Sequence, residues 1–181
     1  MKKPLFILIF FLSIFSVNAQ EQTESTNEPT NQNFSEIKLN ALFLILGGVD
    51  VTYEYILNKE SGIGITGFLP ISKDVSDDVK YYLSPYYRFY FGKKYAGGFF
   101  VEGFGMLNST KRYLDEDDSD FTPEADFVND FAVGFGFGGK WITSRNITFE
   151  LSMGIGRNLF HSYRYDDEII GKGGFIIGYR F

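Results

Sequence analysis

Four groups of residues in this chain have types and spacings that could do chemistry. Gly134-Phe135-Gly136-Phe137-Gly138-Gly139-Lys140 contains a formal G-x-G-x-x-G. Dinucleotide binding needs that motif where a strand turns into a helix. Here the glycines alternate with phenylalanine and no helical pattern follows, so they read as small residues relieving crowding on one strand face. Asp115-Glu116-Asp117-Asp118-Ser119-Asp120 is the densest charge run. Alternate carboxylates could hold Ca²⁺, which wants six or more oxygens. No EF-hand spacing or sharp-turn glycine accompanies them, so the run reads as a solvated loop, with divalent binding left open. His161, the one histidine, stands near Arg157, Ser162, Tyr163, Arg164, Asp166, Asp167 and Glu168. A His-Ser pair could serve acyl chemistry, but one histidine with no repeated motif is far better read as an exposed residue of a surface loop. Lys38, Glu54, Arg88, Glu102, Lys140, Glu150 and Arg180 all hold even-numbered positions. They could line a proton or ion path, or simply pair inside a closed structure; pairing is the reading favoured here. No cysteine occurs, which excludes disulfides and thiolate metal sites. No residue is assigned a catalytic, cofactor-binding or metal-binding role, and no cofactor is expected.

The elements that would position these residues are legible in composition and period. The chain has 181 residues, enough for one domain, and a net charge of −6. An acidic chain is a poor candidate for nucleic-acid binding. Aromatic residues make up 19% of it, with Phe 21, Tyr 12, Gly 20 and Pro 5, which suits strands better than helices. The mean hydropathy of −0.09 resembles that of a soluble protein. A membrane barrel has the same value, because only alternate residues of each strand face lipid.

Lys2 and Lys3, the apolar run Leu5 to Phe15 broken only by Ser13, and Val17-Asn18-Ala19 ahead of Gln20 have the layout of a secretory signal peptide over residues 1–19. The apolar run is too short to span a bilayer as a helix. Residues 20–35 are polar through Asn33 and without period, and read as a flexible periplasmic lead-in. A barrel domain is expected over 36–181.

Within it the spacing predicts eight strands, about Glu36–Leu46, Asp50–Asn58, Ser61–Ile71, Val79–Gly92, Gly97–Ser109, Phe127–Ile142, Asn146–Arg157 and Gly171–Phe181, and no helix. Large apolar side chains fall on odd positions: Val51, Tyr53, Tyr55 and Leu57 in the second strand, Phe131, Val133, Phe135, Phe137 and Trp141 in the sixth. Because side chains alternate faces, each set lines one surface. The even face holds the charges and many glycines. Leu42 and Leu44 also fall there and weaken the first strand's alternation. Short connections at Asn58–Ser61, Gly92–Gly97 and Thr143–Asn146 alternate with longer ones at Ser72–Asp78, Thr110–Asp126 and Asn158–Ile170. The connection at Gly47-Gly48 is short and breaks the trend.

A soluble barrel would turn its apolar face inward, and a membrane barrel outward. The aromatic-rich odd face would overfill a closed eight-strand interior. The even face carries both signs, as an internal ion-pair network requires. Both features favour the membrane barrel.

The opening strand Lys38-Leu39-Asn40-Ala41, the alternating strands, the leader and the aromatic end Gly178-Tyr179-Arg180-Phe181 resemble the small eight-stranded outer-membrane barrels of the OmpA and OmpX type. They are more similar still to short outer-membrane barrel families of unknown function. The resemblance implies an all-β, closed, antiparallel up-and-down transmembrane barrel in the bacterial outer membrane. It implies outer-membrane lipid as the surroundings. It also implies barrel-assembly machinery as a partner in biogenesis, reading Tyr179 and Phe181. The expected function is non-enzymatic, with a side-chain-filled lumen and an envelope-structure, adhesion or host-interaction role through the outer loops. The alternatives are an outer-membrane lipid-modifying enzyme using His161 with Ser162, and a soluble lipocalin-like periplasmic carrier.

Overall fold

The structure, a computed structural model, describes residues 34–113, 125–160 and 169–181. The leader, the polar lead-in through Asn33, the acidic run 115–120 and His161 lie outside them.

The order of elements is β1 (Phe34–Asn40), α1 (Ala41–Leu46), β2 (Gly48–Asn58), β3 (Ser61–Pro70), α2 (Lys73–Ser76), β4 (Val79–Tyr90), β5 (Gly98–Tyr113), β6 (Ala125–Ile142), β7 (Ile147–Asn158) and β8 (Ile169–Arg180). Each strand pairs antiparallel with the next, and β8 pairs with β1, so the sheet closes into a barrel. Closure gives both sides of each strand a hydrogen-bonding neighbour.

Parity decides which way each side chain points. Along most of each strand even-numbered residues face the lumen and odd-numbered ones face outward; Ser61, Ser109 and Lys80, near strand ends, depart from the rule. Lys140 is 2% exposed while its neighbour Trp141 is 57% exposed, and Phe135 is 67% exposed. The lumen is filled rather than open. Tyr90 and Phe100 pack with Ile56 and Ala96 in one cluster. Tyr86 and Phe104 pack with Met106 and Ala132 in a second.

Inward glycines make room for these rings. A Cβ on Gly64 would stand 2.4 Å from the Tyr86 ring. One on Gly134 would stand 2.5 Å from Phe104, and one on Gly138 would stand 2.6 Å from Phe100. The glycine run of β6 is thus a row of inward notches, Gly134 against Phe104, Gly136 against Glu102 and Gly138 against Phe100, with Gly139 on the outer face beside Trp141.

Four sequence expectations need correction. First, Ala41–Leu46 is a helix, not the end of β1. Alanine and leucine are strong helix formers. As a strand, this segment would have sent Leu42 and Leu44 into the charged lumen. The helix stops at Gly47, which adopts φ 96°, and its N–H returns to the Phe43 carbonyl. A Cβ there would lie 2.4 Å from Ser72 Oγ, so both conformation and space require glycine. Second, α2 adds a single helical turn, so the expectation of no helix fails twice. Six and four residues are too few for a 3.6 period to show. Third, the β1–β2 connection is the helical segment 41–47 rather than a tight turn at Gly47-Gly48. The three longest connections, β3–β4, β5–β6 and β7–β8, therefore share one end of the barrel with 41–47, and 59–60, 91–97 and 143–146 lie at the other. Fourth, β5 and β6 pair as far as Tyr113 and Ala125, well past the expected ends. Thr110, Lys111 and Arg112 read as loop because alternation is visible only where one face is apolar.

Candidate functional site

The lumen is the one place where polar chemistry is concentrated among the described residues. On β4, Arg88 stands between Tyr86 and Tyr90; on β5, Glu102 stands between Phe100 and Phe104. A charged layer therefore separates the two aromatic clusters. Register sets the pairs within it: Arg88 stands opposite Glu102, Lys140 opposite Glu150, and Glu36 opposite Arg180.

The contacts reach well beyond those pairs. Arg88 bonds Glu102 through Nη2 at 2.7 Å and Nε at 3.1 Å. Its Nη1 lies 2.9 Å from Glu150 and 3.3 Å from Glu54. Lys38 donates to Glu54 and Glu150 and stands 3.1 Å from Glu36. Lys140 stands 2.8 Å from Glu36, 3.3 Å from Glu54 and 3.4 Å from Glu150. Tyr86 and Tyr90 donate to Glu54. Lys172 reaches Glu102 at 3.1 Å, and Arg180 reaches Glu36 at 2.6 Å. The set joins every strand except β3, whose inward Gly62 and Gly64 leave space for Glu54 and Tyr86.

This geometry says what the site can hold. Carboxylate oxygens of Glu36, Glu54 and Glu150 lie within 4.8 Å of one another, a spacing that suits a metal ion. Lys38 and Lys140 each already contact all three. Two ammonium groups supply the positive charge a cation would bring, so the carboxylates have no call for a metal. Each of these three glutamates is held by at least two cations, which leaves none of them a free face to act as a base.

The two ends of the lumen are closed differently. At the short-turn end, the β4–β5 turn folds over the mouth. Arg180 donates to the carbonyls of Tyr95 at 2.9 Å and Ala96 at 3.0 Å, and Phe34 packs edge-on against Tyr95. At the other end, Phe43 of α1 leans on Phe68, and Phe68 stacks on Tyr82, whose hydroxyl donates to Asp50. Neutral pairs fill in beside them: Thr52 with Thr66 at 2.8 Å and Asn108 with Asn158 at 2.9 Å.

The seven charged residues singled out from sequence are thus all buried in one connected set. Sequence reasoning missed Glu36, Lys172, Asp50 and the tyrosines that bond the carboxylates. Parity alone would have found them, for all occupy even positions within strands. Tyr179 and Phe181 lie on the outer face, apart from the network; Phe181 exchanges backbone hydrogen bonds with Ser35 at 2.9 Å.

A family model described as "Protein of unknown function (DUF3575)" matches residues 5–173. No curated protein matches the chain. Among solved structures it is similar to the N-terminal β-barrel domain of Pseudomonas aeruginosa OprF, at 14% identity and a TM-score of 0.57, over 84% of this chain and 100% of that one.

Proposed function

We propose that this chain, which belongs to the DUF3575 family, is an exported outer-membrane barrel that acts as a closed, non-enzymatic anchor for the connections at the end opposite its short turns. The observation that carries this reading is the inverted distribution of polarity. Fully buried Glu54 faces the lumen while 67%-exposed Phe135 faces outward. A soluble barrel in water needs the reverse, which argues against a lipocalin-like carrier. In a bilayer the exposed apolar face meets acyl chains, and the closed sheet satisfies every ladder group without water. Outward Phe91, Phe99, Trp141, Tyr179 and Phe181 gather near the short-turn end, as an interfacial aromatic girdle would.

The ion network and aromatic clusters fill the bore, so the barrel conducts no large solute. Function then falls to the connections at the opposite end, in envelope structure, adhesion or host contact. Export follows the leader at residues 1–19, and Tyr179 with Phe181 is the segment offered to the barrel-assembly machinery. The test is fractionation with gel mobility before and after boiling. The protein should float with outer membranes and shift on heating; recovery from the soluble periplasm without detergent would overturn the reading. In planar bilayers no steady porin-sized current should appear.

A further inference from the structure

Although the chain is acidic overall, the short-turn end is basic. Its three turns carry Lys59, Lys93, Lys94 and Arg145, all exposed, against a single carboxylate, Glu60. Among the described residues none of the four cations forms an ion pair. The opposite end differs: in and just after α2 lie Asp74, Asp77 and Asp78 with Lys73.

The three turns form one surface. The Ala96 N–H donates to the Lys59 carbonyl at 2.7 Å, tying the β4–β5 turn to the β2–β3 turn. Lys94 Nζ donates to the carbonyl of Ile142 at 3.3 Å, tying it to the β6–β7 turn. Directly beside these cations stand the outward rings of Phe91, Phe99 and Trp141. An aromatic band followed by unpaired cations matches the chemistry of a lipid leaflet, in which acyl chains give way to phosphates. Lysine stems are long enough to lie along the band with the ammonium beyond it, and a guanidinium can grip a phosphate with two N–H groups.

We propose that this basic turn surface binds the phosphate headgroups of anionic phospholipids in the leaflet at the short-turn end. The inference rests on the membrane reading above, and charge complementarity selects the lipid. A zwitterionic headgroup brings its own cation and gains little here. An anionic one retains a net negative charge that four unpaired cations can meet, each contributing about a fivefold preference at low salt.

The test uses the full mature chain refolded into phosphatidylcholine vesicles with and without phosphatidylglycerol. The lipids retained by the extracted barrel are then counted by native mass spectrometry. Phosphatidylglycerol should be enriched at least about tenfold over its bulk share, and salt should weaken the enrichment. A variant combining Lys59→Gln, Lys93→Gln, Lys94→Gln and Arg145→Gln should fall toward the bulk ratio, whereas Lys73→Gln with Lys80→Gln at the other end should not. Retention at the bulk ratio by the wild type would overturn the proposal, as would undiminished enrichment in the heat-modifiable fourfold variant. Should that variant not fold, Lys93→Gln and Arg145→Gln singly give the same reading from exposed turn positions. Failure to enter either kind of vesicle would sink the membrane reading itself. Entry without lipid preference would sink only this proposal.

Discussion

The lumen toward the short turns and the lumen toward the longer connections are built from the same even-numbered positions but bonded in different ways. Toward the short turns, charged side chains from nearly every strand contact several partners each; Lys38, Lys140 and Arg88 all share Glu54 and Glu150. Toward the longer connections neutral hydrogen bonds, Thr52 with Thr66 and Asn108 with Asn158, stand beside the carboxylates of Asp50, which accepts from Tyr82, and Asp130, which accepts from the Phe131 and Phe160 N–H groups. The difference is one of coupling. Removing one member of a shared ionic set leaves several opposite charges short of a partner in a water-poor space, whereas removing one member of a neutral pair strands a single group.

The largest expected effect breaks the ionic half at its centre. Arg88→Met takes the guanidinium from Glu102, Glu54 and Glu150 together, and should cost about 3–5 kcal/mol in urea unfolding followed by gel mobility in detergent micelles. Glu102→Gln should cost less, because Arg88 keeps Glu54 and Glu150. In a double-mutant cycle the two should couple by about 0.5–3 kcal/mol, with the double variant more stable than the summed singles imply. Simple additivity would mean that water screens the network, and the contrast between the two halves would disappear.

Filling a notch should come next. Gly134→Ala would drive a methyl to within 2.5 Å of both the Phe104 ring and the Ile155 carbonyl, since β7 crosses closely behind β6. Overpacking of this kind costs about 1–3 kcal/mol, read from the same unfolding curves. Gly136 has a milder version of the same crowding, with Met153 O at 3.0 Å from the added Cβ. Lumen glycines are therefore no safe sites for substitution, although the sequence presents them only as small residues between phenylalanines.

What the sequence displayed and what it concealed divide along a physical line. Period-two alternation exists because one face of each strand is exposed and apolar, so strands such as Gly48–Asn58 and Ile147–Asn158 could be drawn within a residue or two. The short helix Ala41–Leu46 was hidden, since a run of consecutive apolar residues has no period to read. Its one visible trace was the pair Leu42 and Leu44 on the wrong face. Membership of the charged set was legible from parity, as with Arg88 and Lys140. The sharing among its members was not. Lys38 on β1 meets Glu150 on β7 past the intervening β8, and such contacts depend on how eight tilted strands stagger as they close, which no pairwise register reveals.

The smallest expected effect lies in the neutral half and gives the comparison its baseline. The hydroxyls of Thr52 and Thr66 bond each other at 2.8 Å from facing positions of β2 and β3, and both residues are buried. Thr52→Val keeps the shape and removes one partner, leaving the Thr66 hydroxyl without that bond. The expected loss is about 1 kcal/mol, the ordinary contribution of one hydrogen bond. Adding Thr66→Val removes the stranded hydroxyl as well, so the double variant should recover part of the loss rather than deepen it. The same unfolding curves in detergent give both values. A Thr52→Val loss approaching that of Arg88→Met would show that the neutral half is as tightly coupled as the ionic one, and that charge is not what distinguishes the two.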